Sequence, residues 1–183
     1  YREVVESTID FVNRELKGTY GNYFSALDAD SEGEEGKFYV WTRDEVMAIA
    51  GKDFNIIETY YNINETGYWE HGNYILLRQK DDDEIAEQFQ ISKAQLNEVV
   101  SRFKKQALLV RAGRELDDKT LTSWNALMVT ALIDAHQAFG TEKYLEDAIN
   151  CMAFLLKHTL KQDGSVCHSF KNGISAISGF LED

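Results

Sequence analysis

Residues 117–160 read DDKTLTSWNALMVTALIDAHQAFGTEKYLEDAINCMAFLLKHTL, and this stretch decides the fold class. Leu121, Trp124, Leu127, Met128, Ala131, Leu132, Ala135, Ala138 and Phe139 recur at three- and four-residue steps. That spacing predicts a helix over 121–139 with a wide apolar face. Gly140 ends it, Thr141 caps the next, and Leu145, Ala148, Ile149, Met152, Leu155, Leu156 and Leu160 predict a second helix over 142–160. So short a connection makes an antiparallel helical hairpin. The stretch opens on Asp117–Asn125, where two carboxylates, a cation, hydroxyls, an indole and an amide crowd a helix start. Helix N-termini carry unpaired N–H donors and partial positive charge, so they hold anions and polar ligands. The plain alternative is a capped helix with a packed Trp.

The same periodicity extends outward. Val4, Val5, Thr8, Ile9, Val12 and Leu16 predict a helix over 2–17, stopped at Gly18. A polar loop follows over 18–36, then a short strand over Lys37–Trp41. Thr42 with Glu45 three residues on forms a capping box for a helix ending at Gly51. Asp53 starts another, and Tyr74–Leu77 is a second short strand. Asp81–Asp83 lead a helix over 83–90, and Ser92 caps one over 93–111 that Gly113 ends. The class is therefore all-α, built of helical hairpins with short β-ribbons in the loops.

Composition bounds the function. The chain has 183 residues, 44% of them hydrophobic, which suits one globular domain. It begins at Tyr1 with a helical pattern already running and ends at Asp183 in mid-phrase, which reads as a piece excised from a longer chain. A net charge of −12 repels phosphate backbones and anionic membrane surfaces, so neither nucleic acid nor membrane is an expected partner. No apolar run approaches the roughly 20 residues of a membrane span. Cys151 and Cys167 have no metal-ligand or redox spacing, so no metal or cofactor is expected and a reducing cytoplasm is the default. Proline is absent. Helix starts must then rely on side-chain caps.

Two loops mix chemistry-bearing residues. Asp28, Asp30 and Glu32 with Gly33 copy the start of a calcium loop, but position 12 is Tyr39 and not a bidentate Glu. The EF-hand is rejected. Asp28 and Asp30 read instead as a solvated acidic loop, as a looser divalent-cation site, or as carboxylates on the rim of a cleft, where sugar chemistry would use them. Tyr68-Trp69-Glu70-His71 combines aromatic faces with a carboxylate, the mixture that stacks on sugar rings and bonds their hydroxyls. A structural turn is the plain alternative there. His136 and His158 fall within helices, and His168 lies in an extended piece with no partner nearby in sequence.

Several stretches together resemble one family. Ala26–Thr42, Leu116–Met128, Glu70–Leu76 and the ending Gly179–Asp183 closely resemble signatures of the thioredoxin-domain family of spermatogenesis-associated protein 20. The resemblance spans essentially the whole chain, in order. It implies an α/α toroid like that of six-hairpin glycosidases and N-acylglucosamine 2-epimerases, of which this chain is a partial domain over 1–183. The thioredoxin-like domain of the family is absent from it. Arg114 stands near a usual proline, and Ala126 replaces a frequent Gly after Trp-Asn. These departures touch loop geometry.

The expected function is part of a carbohydrate-active or sugar-binding toroid, glycosidase- or epimerase-like in the full-length protein and inactive as a fragment. Asp28 and Asp118 are the acid/base candidates. Asp30, Trp69, Glu70, Lys119, Trp124 and Asn125 are the substrate-binding candidates, with Trp124 a stacking platform. The expected partners are a carbohydrate ligand and the remainder of its own chain. The competing class is a non-catalytic interaction domain attached to a thioredoxin-like redox module. Opposed carboxylates about 5–10 Å apart would favour the enzyme, and a salt-bridged cleft the scaffold.

Overall fold

A computed structural model describes residues 1–31, 33–111, 116–173, 175 and 177–183. In chain order it runs α1 (Arg2–Glu15), β1 (Ala26–Leu27), β2 (Asp30–Ser31), β3 (Glu34–Glu35), β4 (Val40–Thr42), α2 (Arg43–Ala50) and α3 (Phe54–Tyr60). There follow β5 (Asn73–Ile75), α4 (Asp82–Phe89), α5 (Lys93–Val110), β6 (Leu116–Asp117), β7 (Thr120–Leu121), α6 (Thr122–Phe139), α7 (Glu142–His158) and β8 (Ser169–Phe170). Helix dominates, and among the described residues the strands form four antiparallel two-stranded ribbons: β1–β6, β2–β3, β4–β5 and β7–β8. Among the described residues no helix is long and apolar enough to cross a membrane. The Gly113 helix stop, Arg114 and Glu32 of the acidic loop lie outside the described residues.

The chain divides into two compact units, residues 29–114 and residues 1–28 with 115–183. In the continuous unit, three helices start on capping boxes: Thr42 with Glu45, Asp81 with Glu84, and Ser92 with Gln95. Each box pairs two orphan N–H groups of a helix start reciprocally. Asp53 does not cap α3 and instead binds the Arg102 guanidinium at 2.5 Å. The core gathers Trp41, Val46, Ile57, Ile85, Leu96 and Phe103 from β4 and all four helices. The strand expected over 37–41 begins only at Val40. Gly36 is left-handed (φ 77°) and turns Lys37–Tyr39 into one 3₁₀ turn instead. Gly67 allows a close approach: a Cβ there would lie 2.1 Å from the Asn62 carbonyl oxygen.

In the discontinuous unit, α6 and α7 form the expected hairpin, closed by left-handed Gly140 (φ 70°). Thr141 stands at the α7 N-cap but its side chain accepts no capping bond; its carbonyl meets His136 Nδ1 at 3.1 Å. The core joins Ile9 of α1 and Tyr23 to Val129, Leu132 and Ala135 of α6 and Tyr144, Ala148 and Cys151 of α7. The buried stripe of α6 is rotated from the expected one. Thr122, Asn125, Val129, Leu132 and Ala135 face inward, while Trp124 and Leu127 are 56% and 68% exposed. Asp147 of α7 is fully buried and holds Lys17, Lys143 and Asn13. Burial alone would raise its pKa, but the ammonium groups of Lys143 and Lys17 outweigh that and hold it below the usual carboxylate range.

Candidate functional site

The start of α6 is built by polar contacts from distant segments. Its N-cap residue, Leu121, offers no capping side chain. The first-turn groups find other partners. Thr122 N–H donates to the His168 carbonyl at 2.9 Å, and Thr122 Oγ1 donates to the Cys167 carbonyl. Ser123 N–H donates to Asp183 Oδ1 at 3.2 Å, so a carboxylate 60 residues downstream takes the helix-start role. Asp183 Oδ2 also accepts from Phe180 N–H at 2.9 Å and from His168 Nδ1 at 2.8 Å. Burial opposes ionisation of Asp183, but these donors prevail and hold its pKa below the usual value. The His168–Asp183 pair went unseen in the sequence because 15 residues separate two groups that no short motif links.

The candidates of this unit divide. Asp118 is ion-paired with Lys171 at 2.5 Å, and Lys119 with Asp117 at 3.0 Å. The Lys119 ammonium bonded to Asp117 is the main reason that carboxyl sits low. Trp124 is outward and exposed, as a stacking platform requires. Asn125 is 2% exposed and fully engaged inside the chain. Its Nδ2 donates to the Tyr23 and Leu121 carbonyls, each at 2.9 Å, and its Oδ1 accepts from Tyr23 N–H at 2.8 Å and from Cys151 Sγ at 3.4 Å. Asp28 follows β1, and Asp118 follows β6. In the pairing Ala26↔Asp117 and Leu27↔Leu116, these two carboxylates lie past opposite ends of one ribbon.

The continuous unit carries a cleft of about 1060 Å³. Trp69 and Glu70 line it, together with His71, Tyr39, Trp41 and Arg111. The loop holding Trp69 is a tight turn. Trp69 N–H donates to the Asn73 carbonyl, Asn73 N–H donates to that of Glu70, both at 2.8 Å, and His71 and Gly72 take positive φ between them. The turn reading holds, and the turn presents Trp69 60% exposed beside the cleft. Tyr39 is 54% exposed on the same lining. Arg111 lies 4.5 Å from the ring centres of both Phe38 and Trp41, a cation between two π-faces. Glu45 also lines the cleft, but its carboxylate accepts Thr42 N–H and Oγ1–H, each at 2.8 Å. Asp30 sits in the β2–β3 ribbon opposite Glu35, which is itself on the lining. Ser31, Tyr39, Trp41 and Arg111 were not singled out in the sequence; Arg111 comes from the far end of α5.

A mostly helical chain with a small aromatic and acidic cleft is the class so defined. No protein-family model matches the chain. It is homologous along its whole length to spermatogenesis-associated protein 20. The Mus musculus protein is 27% identical over 221 aligned residues, covering 100% of this chain and 28% of that protein. The Homo sapiens protein is 24% identical over 220, with the same coverage. An uncharacterised protein of Caenorhabditis elegans is 29% identical over 163 residues, covering 75% of this chain and 22% of that one. The chain thus spans about a quarter of the length of the curated relatives it matches.

Proposed function

We propose that this chain is a sugar-binding segment of an α/α toroid, completed by further helical hairpins of a longer protein that also carries a thioredoxin-like domain. The observation that carries the ligand class is the cleft of residues 29–114. It combines exposed aromatic faces, Trp69 and Tyr39, with the carboxylates of Glu70, Glu34 and Glu35. Aromatic faces stack on the apolar faces of sugar rings, and carboxylates accept their hydroxyls. In this reading Trp69 is the platform and Glu70 the hydroxyl acceptor, with Asp30 on the neighbouring ribbon. Trp124 is a second platform on the other unit, and Asn125 positions the segment beneath it.

A second reading is a non-catalytic interaction domain attached to a redox module. It is favoured by the ion pairs at the α6 start, where Asp117, Asp118, Lys119 and Lys171 neutralise one another. Asp28 and Asp118 remain the acid/base candidates if the full-length protein turns sugars over. The readings separate on two measurements. Titration with methyl glycosides and N-acyl sugars, followed by tryptophan fluorescence, is expected to show saturable binding that Trp69→Ala removes. Steady-state assays on the same compounds are expected to show no turnover from this segment alone. Binding unaffected by Trp69→Ala, or no binding by any sugar, would overturn the sugar reading.

A further inference from the structure

Two residues of the cleft lining each carry a buried polar atom without a partner among the described residues. Ser31 is 3% and Trp41 5% exposed, and neither Ser31 Oγ nor Trp41 Nε1 makes a hydrogen bond. Both residues line the same cleft. Buried polar groups are nearly always bonded, and each exception calls for an explanation. Trp41 is otherwise a core residue, packed in the cluster with Val46 and Ile57 and faced by Arg111. A Phe ring would fill most of that space, leaving a small void. What Phe lacks is the N–H donor. Ser31, in the β2–β3 ribbon opposite Glu34, supplies a hydroxyl that can donate and accept.

Charge is the second observation. Glu34, Glu35 and Glu70 on the lining make no ion pair among the described residues. Among the described residues two cations share that lining, Lys37 and Arg111, and the Arg111 guanidinium is stacked between aromatic rings. The 183-residue chain as a whole carries a net charge of −12. An anionic ligand would meet like charge both locally and at long range. A neutral polyol would not, and an ammonium group would be attracted.

We infer that the cleft takes neutral or amine-bearing sugars and rejects anionic ones, with Ser31 Oγ and Trp41 Nε1 as its buried polar anchors. This rests on the sugar reading above and adds the ligand's charge class and the atoms that hold it. One ligand oxygen accepts from Trp41 Nε1–H, and a ligand hydroxyl pairs with Ser31 Oγ. Selection by charge comes from repulsion of the wrong ligand as much as from attraction of the right one.

Methyl glucoside, glucosamine and glucuronate share one ring and differ mainly in charge, so they are the probes. Each is titrated into the 183-residue protein while the ¹H–¹⁵N signal of the Trp41 indole is followed. Methyl glucoside and glucosamine are expected to bind and to shift that signal, with glucuronate at least about tenfold weaker. Trp41→Phe should weaken both binders about fivefold, the size of one net hydrogen bond, and lower the melting temperature by several degrees, since the smaller ring leaves a void in the core. The indole shift needs no variant, so the anchor remains testable if Trp41→Phe fails to fold. Glucuronate binding as tightly as methyl glucoside would overturn the charge selection and leave the sugar reading standing. Sugar binding that neither moves the Trp41 indole nor weakens in Trp41→Phe would overturn the anchor. Failure of all three to bind would sink both this inference and the sugar reading.

Discussion

Replacing Asn125 tests whether its amide is a pin of the fold or a contact for a ligand. Its four bonds close on the Tyr23 backbone from both sides, on the Leu121 carbonyl and on the Cys151 thiol. In Asn125→Ala the Tyr23 N–H and C=O lose these partners in a residue only 4% exposed. Each buried group left unsatisfied costs about 1–3 kcal/mol, so the pair costs about 2–6 kcal/mol before any cavity is counted. Against a domain stability of about 5–15 kcal/mol, that is a large fraction. Asn125→Asp keeps the shape but turns a donor toward two carbonyls into an acceptor, and should be at least as damaging. Urea unfolding followed by far-UV circular dichroism measures both. A loss under about 1 kcal/mol for Asn125→Ala would refute the reasoning, because water would then be replacing the amide. Such a variant, stable yet unable to bind sugar, would return Asn125 to the ligand contacts.

Other outcomes follow from the same contacts. Asp147→Asn should cost about 1.5–3 kcal/mol, the worth of hydrogen bonds to charged groups. Because the folded-state pKa of Asp147 is depressed, its contribution is complete above the ordinary value of 3.8 and is lost as the pH falls below it. Acid titration of wild type and Asp147→Asn should therefore converge at low pH, and parallel curves would show that the ionisation of Asp147 adds nothing. Gly67→Ala places a Cβ against backbone oxygens of Asn62 and Ile75, and should destabilise residues 29–114 by about 3 kcal/mol in denaturant melts. An unchanged midpoint would mean that the turn shifts freely. Burial pushes the Cys151 thiol up to about 12, so it should stay unmodified by a disulfide reagent at pH 8 until the chain unfolds. Labelling within minutes under native conditions would contradict that burial.

What the sequence disclosed depended on how locally each feature is made. The boxes at Thr42 and Ser92 are closed within three residues, so their residue types alone reveal them. The α6–α7 hairpin was legible because two long periodic runs flank a single Gly-Thr. The face of α6 was not, since the helix is apolar nearly all round and Thr122 and Asn125 turn inward to serve the Cys167 carbonyl and the Tyr23 backbone. The strand over 37–41 was overextended because its aromatic content hides the left-handed Gly36 that starts a 3₁₀ turn. Trp69 and Glu70 drew notice as an aromatic beside an acid, and both line the cleft. Arg111, Trp41 and Ser31 did not, since each looks ordinary alone and only the fold brings them to one lining. His168 meets Asp183 across an interval that no periodicity marks.

The two ways of starting helices have a kinetic corollary. α2, α4 and α5 close their caps across three residues, so each can nucleate as soon as its own sequence is available. The first turn of α6 has no such shortcut. Its partners lie 45 and 60 residues downstream, and the Asn125 lock reaches 102 residues back. Closing loops of that length must precede the reward, which slows the step. Residues 29–114 are therefore expected to order before the two flanking segments, 1–28 and 115–183, meet. In pulsed hydrogen exchange during refolding, the amides of α2, α4 and α5 gain protection ahead of Thr122 and Ser123.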